Sequence, residues 1–223
     1  MVYGFVIPDF RGGGAEQVLI NLANFIAENN TVYLFVGVAK GKLLHTVSSN
    51  VNVVELSKSN SGFKNLYPLY ILVKEKKVTY LCGTLSMAFV VPLIGLMLRK
   101  VYTISRIGNT LSSDIKQMGV LKRFINRLYY HTLLCSDKVI CQSQYMKNDL
   151  FSLLPYLPSK KVKVIKNPIN NNKLLEIVKE TLDFKFPVVE ITKSIAALEL
   201  FQGPTLAFKD VGARFMARTL GYL

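Results

Sequence analysis

The sequence predicts an α/β fold, a Rossmann-like parallel sheet with helices on both faces, followed by a short, poorly packed C-terminal tail. Three observations predict it. Short apolar runs alternate with stretches of helical periodicity from residue 2 to about residue 166, which is the pattern of a parallel sheet whose crossovers are helices. Three consecutive glycines join the first run to the first helical stretch. The alternation then stops, and the last forty or so residues follow a different pattern.

Val2 to Ile7 is nearly unbroken apolar sequence, as expected of a strand buried on both faces. After Gly12-Gly13-Gly14, residues Val18, Leu19, Leu22, Ala23 and Ile26 recur at helical spacing, predicting a helix from about Ala15 to Asn29-Asn30. Further strands are predicted at Thr31 to Val38, Val51 to Leu56, Val78 to Cys82, Val101 to Ser105, Lys138 to Gln142 and Val162 to Lys166. Leu66 to Glu75 reads as a helix with Pro68 in its first turn. Other helical stretches fall at 86–98, 112–135 and 144–154, the last with Ser143 as its N-cap, and a short one runs from Lys173 to Glu180. The segment Val78 to Leu98 has 21 residues without a charge, enough to cross a bilayer, so a membrane span is its second reading. Gly83, Thr84, Ser86, Pro92 and Gly95 favour strand, turn and buried helix instead.

Half of the 223 residues are apolar and 19% are charged, which excludes a disordered chain. The formal net charge is +14, and it is unevenly spread. Residues 1–180 carry 23 Lys and Arg against 10 Asp and Glu, and residues 181–223 carry 5 against 4. Such an excess favours anionic partners, including an anionic membrane surface. There is no arginine-rich arm and no interleaving of aromatic and basic residues, so nucleic acid is not expected as a partner. Cys82, Cys135 and Cys141 form no disulfide framework and no metal-ligand spacing, and with two histidines no metal site is expected. No secretory signal pattern opens the chain, so the expected location is cytoplasmic, with peripheral association at the inner membrane face.

The strand, triple glycine and helix carry the first chemical signal. Glycines allow backbone to approach a phosphate closely, and the helix N-terminus offers unpaired N–H groups. The spacing is neither Gly-x-Gly-x-x-Gly nor that of a Walker loop, so read alone the turn is equally a flexible connection without a ligand.

Pro8-Asp9-Phe10-Arg11-Gly12-Gly13-Gly14-Ala15-Glu16-Gln17 resembles the opening of retaining glycosyltransferases of family 4. Three later stretches are similar to that family in order and spacing. They are Ile104-Ser105-Arg106-Ile107-Gly108-Asn109, the run Ser136 to Lys147, and Val164-Ile165-Lys166-Asn167-Pro168-Ile169. The resemblance covers residues 1–169 and implies the N-terminal, acceptor-side half of a two-domain GT-B fold. It implies transfer of a hexose from a nucleotide sugar to a polysaccharide or lipid-linked acceptor, with no cofactor. It places Gly13 and Gly14 beside the donor diphosphate and Arg106 and Asn109 along the acceptor side of one cleft, to whose rim Gly12 and Glu16 also belong. On the residues alone, Arg106 reads equally as a surface salt-bridge residue, and Asn109 as a turn residue after Gly108. Only 54 residues follow Ile169, too few for a second Rossmann domain, so the donor-binding half is expected to be missing and the chain inactive alone.

The tail carries a second resemblance. Leu198 to Asp210, LELFQGPTLAFKD, is similar to the pyridoxal-phosphate lysine motif of threonine synthases, with Gln202 where that family has histidine. The similarity runs over about residues 184–223, with 170–183 as a linker. It implies that Lys209 would hold pyridoxal phosphate in an intact lyase; here an exposed lysine is expected, and no catalytic residue is expected unless the tail functions. Leu200 to Pro204 also resembles a viral-protease cleavage tag. The two resemblances in one chain read as two genes joined in frame. Three functions therefore compete: a glycosyltransferase half, a threonine synthase fragment, and a basic, non-catalytic module for a membrane surface.

Overall fold

Val2–Asp9 (β1) leads through the glycines into Gly14–Ala27 (α1), followed by Thr31–Val38 (β2), Val51–Glu55 (β3) and Gly62–Glu75 (α2). Tyr80–Thr84 (β4), Val91–Met97 (α3), Tyr102–Ile107 (β5), Leu111–Lys116 (α4) and Val120–Tyr130 (α5) come next. Lys138–Cys141 (β6), Gln144–Leu153 (α6) and Val162–Val164 (β7) complete the series. This computed structural model describes residues 1–116, 119–167 and 171–222. The seven strands form one parallel sheet in the order β3-β2-β1-β4-β5-β6-β7.

β1 shows why the first strand has no polar alternation. Its odd residues Phe5 and Ile7 face the core beneath α1, with Leu19, Ile20 and Ala23. Val6 faces the opposite core with Phe35, Leu69, Val73 and Ile94. Successive side chains of a strand point to opposite faces, so a strand covered on both sides must be apolar throughout. A third cluster, around Val139, Cys141, Leu133 and Leu150, covers the β6 end of the sheet.

The membrane-span reading of Val78 to Leu98 is overturned. The segment divides into β4, a 3-10 turn at Leu85–Phe89, and α3, all contributing to the core. No helix among the described residues is long and apolar enough to cross a membrane. Three boundaries also differ from expectation. The stretch 86–98 is not one helix, because its first turn is 3-10 and begins from Leu85 in a left-handed conformation, φ 54°. The stretch 112–135 holds α4, α5 and a closing 3-10 turn at His131–Cys135. α2 begins at Gly62 rather than Leu66, so Pro68 lies inside the helix and not in its first turn. The earlier start is secured by Asn65, which is fully buried. Its Oδ1 accepts from Ser57 N (3.1 Å) and Ser57 Oγ (2.7 Å), and its Nδ2 donates to Ser59 O (2.6 Å) and Ser61 O (2.9 Å). Those bonds tie the loop before α2 onto the helix. Ser143 caps α6 as expected, accepting from Met146 N at 3.2 Å.

The chain divides into two compact units, Met1–Asn167 and Pro168–Leu223. In the second, Asn171–Thr181 (α7) occupies much of the stretch expected as linker, and an antiparallel hairpin, Val188–Thr192 (β8) and Ile195–Leu198 (β9), precedes Lys209–Tyr222 (α8). α7 and α8 are joined by Arg214, whose guanidinium meets Asp183 at 2.7 Å and Glu180 O at 3.0 Å, and by the Arg218–Glu180 pair. Both strands of the hairpin leave large apolar side chains exposed, among them Val188, Ile191, Ile195 and Leu198.

Candidate functional site

In this strand order the connections reverse direction between β1 and β4. Ligands of open parallel sheets sit outside the carboxyl ends of the strands at such a switch point. The carboxyl end of β1 is the glycine turn, that of β4 is Leu85, and that of β5, the next strand, carries Arg106. General topology and the sequence motifs thus mark the same place.

The turn begins with Asp9, buried, which accepts from Arg11 N and Arg11 Nε, each at 2.8 Å. Gly12 has φ +124°, a conformation that L side chains rarely adopt, and a Cβ there would meet nothing within 4 Å. Gly12 is therefore required by its backbone angles, and the space above it is open. Gly13 is extended (φ −79°, ψ 146°) and is the N-cap of α1, with no side-chain cap. Gln17 N returns to Gly13 O at 3.1 Å, so the amides of Gly14 and Ala15 have no acceptor within the helix. A Cβ on Gly14 would also meet open space.

Glu16, in the first turn of α1, folds back over this end. Its Oε2 lies 2.2 Å from where a Gly13 Cβ would stand. The carboxylate is 6% exposed and Oε2 has no hydrogen-bond partner. Burial raises its pKa above the usual carboxylate value; its own backbone N–H opposes this, Asp9 adds to it, and Arg11 and Arg106 oppose it.

Arg106 is 5% exposed, which corrects the surface salt-bridge reading. Its partners are neutral oxygens: Nη1 donates to Thr84 Oγ1 at 3.2 Å and Nη2 to Asn167 Oδ1 at 2.7 Å. Burial lowers its pKa, while Cys82 and Glu16 act in the opposite direction. Cys82 is itself pushed up to about 12 by burial. Gly108, two residues on, brings the exit of β5 against α1: a Cβ there would lie 3.3 Å from Ala15 Cβ and 3.3 Å from Leu85 Cδ2. Gly13, Glu16, Arg106 and the exit of β5 therefore meet at one rim. Asn109 lies at the same edge, but its Nδ2 donates to Asp114 Oδ2, which turns it toward the start of α4.

Three groups at this rim were not singled out from the sequence. Asn167 fixes Arg106 from 61 positions away, and Thr84 fixes it from 22. Leu85 holds a left-handed angle, costing about 1 kcal/mol for a residue with a Cβ. Such strain gathers at ligand-binding edges. Asn167 and Thr84 carried a signal, since each ends or follows a predicted strand; the left-handed Leu85 carried none. Pro168 and Ile169, part of the family-like motif, lie outside the described residues.

Lys209 opens α8 and is exposed. The neighbouring hollow, about 470 Å³, is lined by Leu198, Leu200, Phe201, Leu206, Ala207 and Phe208, and offers no cation or polar side chain for a phosphate. Asp210 is engaged with Thr205, accepting from its N at 2.8 Å and from its Oγ1 at 2.6 Å. These residues do not fit pyridoxal phosphate. Among the described residues no group of acidic, histidine and cysteine side chains is placed to hold a metal ion.

The seven-stranded parallel sheet and its flanking helices define a Rossmann-like domain of the GT-B glycosyltransferase kind. The sequence model of Glycosyltransferase Family 4 matches residues 12–173, and the chain belongs to that family. Among solved structures it is similar to Anabaena HepE in complex with UDP, at TM-score 0.60 and 17% identity over 81% of this chain and 48% of that one. It is similar also to the lipopolysaccharide outer core galactosyltransferase WaaB, at TM-score 0.55 and 14% identity over 76% and 46% of the two chains. The chain thus spans about half the length of either structure. A shorter similarity is to threonine synthase of Buchnera aphidicola, 50% identical over 60 residues, which are 26% of this chain and 14% of that enzyme.

Proposed function

We propose that residues 1–167 form the acceptor-side half of a hexosyltransferase, in which the glycine turn and Arg106 face the diphosphate of a nucleotide sugar. The observation that carries this reading is the buried Arg106 guanidinium, paired among the described residues with neutral oxygens, beside the amides of Gly14 and Ala15, which have no acceptor within the helix, at the β1/β4 switch point. A buried cation without a carboxylate partner suits an anionic ligand, and preorganised N–H donors stabilise charge developing on a leaving diphosphate. The UDP bound by HepE supports the same ligand class. A glycan or lipid-linked acceptor approaches past Asn109. The basic excess of residues 1–180 draws the domain to an anionic inner membrane face from the cytoplasm.

The second sheet of a GT-B pair is not among the described residues, and we propose that this chain turns over no donor by itself. The full chain is expected to neither hydrolyse UDP- or GDP-sugars nor transfer from them, and added pyridoxal phosphate should give no absorbance change that Lys209→Ala removes. NMR titration with UDP should shift the amides of Gly13 to Ala15, and Arg106→Ala should abolish those shifts. Turnover by the full chain would overturn the half-enzyme reading, and shifts unaffected by Arg106→Ala would overturn the site.

A further inference from the structure

The Glu16 carboxylate stands where an anion bound at the glycine turn would press against it. Oε2 lies over Gly13, is buried and accepts no hydrogen bond. As an ionised oxygen it is left without a donor, a costly state in a buried place. As a protonated oxygen it becomes a donor, and it then needs an acceptor that no described residue supplies. A phosphate oxygen at the free amides of Gly14 and Ala15 is such an acceptor. It is also a second negative charge beside the first, which favours the neutral form of the carboxyl.

Resting on the diphosphate reading of this site, we propose that Glu16 takes up one proton from solvent when a nucleotide sugar binds and donates its Oε2–H to a phosphate oxygen. Glu16 is then a binding residue that works as a neutral acid. The charged groups around it are Asp9 on β1, Arg11 in the turn and Arg106 on β5. Asp9 is held by two bonds from Arg11, leaving Glu16 as the carboxyl with an open oxygen. Burial already shifts Glu16 toward the protonated form before any ligand arrives.

The test uses the full chain and UDP-glucose, whose diphosphate is a diester and lacks the second ionisation near pH 6 of a terminal phosphate. Affinity is read from the amide shifts of Gly13 to Ala15 between pH 5 and pH 8. One linked proton makes binding up to about tenfold tighter for each pH unit lowered, until Glu16 is already protonated in the free protein. Glu16→Gln, which carries a permanent donor at the same position, is expected to bind at least as tightly as the wild type does at low pH, with no pH dependence. Amide shifts whose affinity is flat with pH in the wild type would overturn proton uptake while leaving the diphosphate site standing. A Glu16→Gln variant that is folded, as judged by its thermal transition, and has lost binding would overturn it too, because Glu16 would then be accepting from a ligand hydroxyl. Absence of amide shifts in both proteins would remove the site reading itself, and this inference with it.

Discussion

Glycines at the rim differ in what they are for. At Gly13 the backbone is ordinary for any residue, and the only obstacle to a Cβ is the end of the Glu16 side chain. Gly13→Ala is expected to cost no more than about 1.5 kcal/mol, the scale of an off-rotamer side chain, while displacing Glu16 and weakening ligand binding. Gly41, with φ +140° and Phe10 O 2.1 Å from its would-be Cβ, has a backbone neighbour that must move. Gly41→Ala is expected to cost about 2 kcal/mol or more, seen as a lower denaturant midpoint at unchanged slope. Glu16 also links stability to pH. Its folded pKa lies above the unfolded value, so its stabilising contribution is complete below the ordinary carboxylate value of 4.5 and is lost as pH rises through the folded value. The difference in thermal midpoint between wild type and Glu16→Gln should therefore shift against the wild type across that window; a constant difference would remove this assignment. Arg106 and the glycines were legible because each follows a predicted strand. The partners of Arg106 were not, since Thr84 and Asn167 reach it through the order of strands in the sheet, which local periodicity does not encode. Asn109 was legible as a rim residue, but its orientation is set by Asp114 five positions on.

Helix α2 shows what an element tolerates. Pro68 has no N–H to give to the carbonyl four residues earlier, and the helix continues through it to Glu75. Packing of Leu69 and Val73 into the core, and the Asn65 bonds at the N-terminal end, hold the helix together around it. Pro68→Ala is expected to raise stability by about 1–3 kcal/mol in urea unfolding, and a loss would show that the proline is needed for the local geometry. Periodicity predicted this helix from its apolar residues and missed its first turn, Gly62 to Asn65. That turn is held by polar bonds from a buried asparagine and by the close approach of Gly62 to Tyr129, whose Oη would be 2.2 Å from a Cβ there. The central strands β1, β2 and β4 were the most legible elements, because burial on both faces leaves little room for polar residues within them, whereas the edge strands β3 and β7 are largely exposed.

At the scale of the molecule, the three core clusters draw all their residues from the first unit, between Phe5 and Val162. Residues 1–167 alone are expected to unfold in one cooperative transition and to stay soluble, whereas the full chain, with Val188, Ile191, Phe201 and Phe208 exposed, should aggregate sooner on warming. Light scattering during a thermal ramp of both proteins checks this, and a truncated chain lacking a cooperative transition would refute it. The same sheet order bears on how the protein is made. β1 sits in the middle of the sheet, and Val2 meets Thr79 only 77 positions later. A ribosome adding about 5–20 residues each second leaves that edge of the first strand without its neighbour for about 4–15 s. During that interval Phe5, Val6 and Ile7 emerge as an open, apolar strand edge, so a chaperone that shelters extended apolar segments has its longest opportunity while β1 waits for β4.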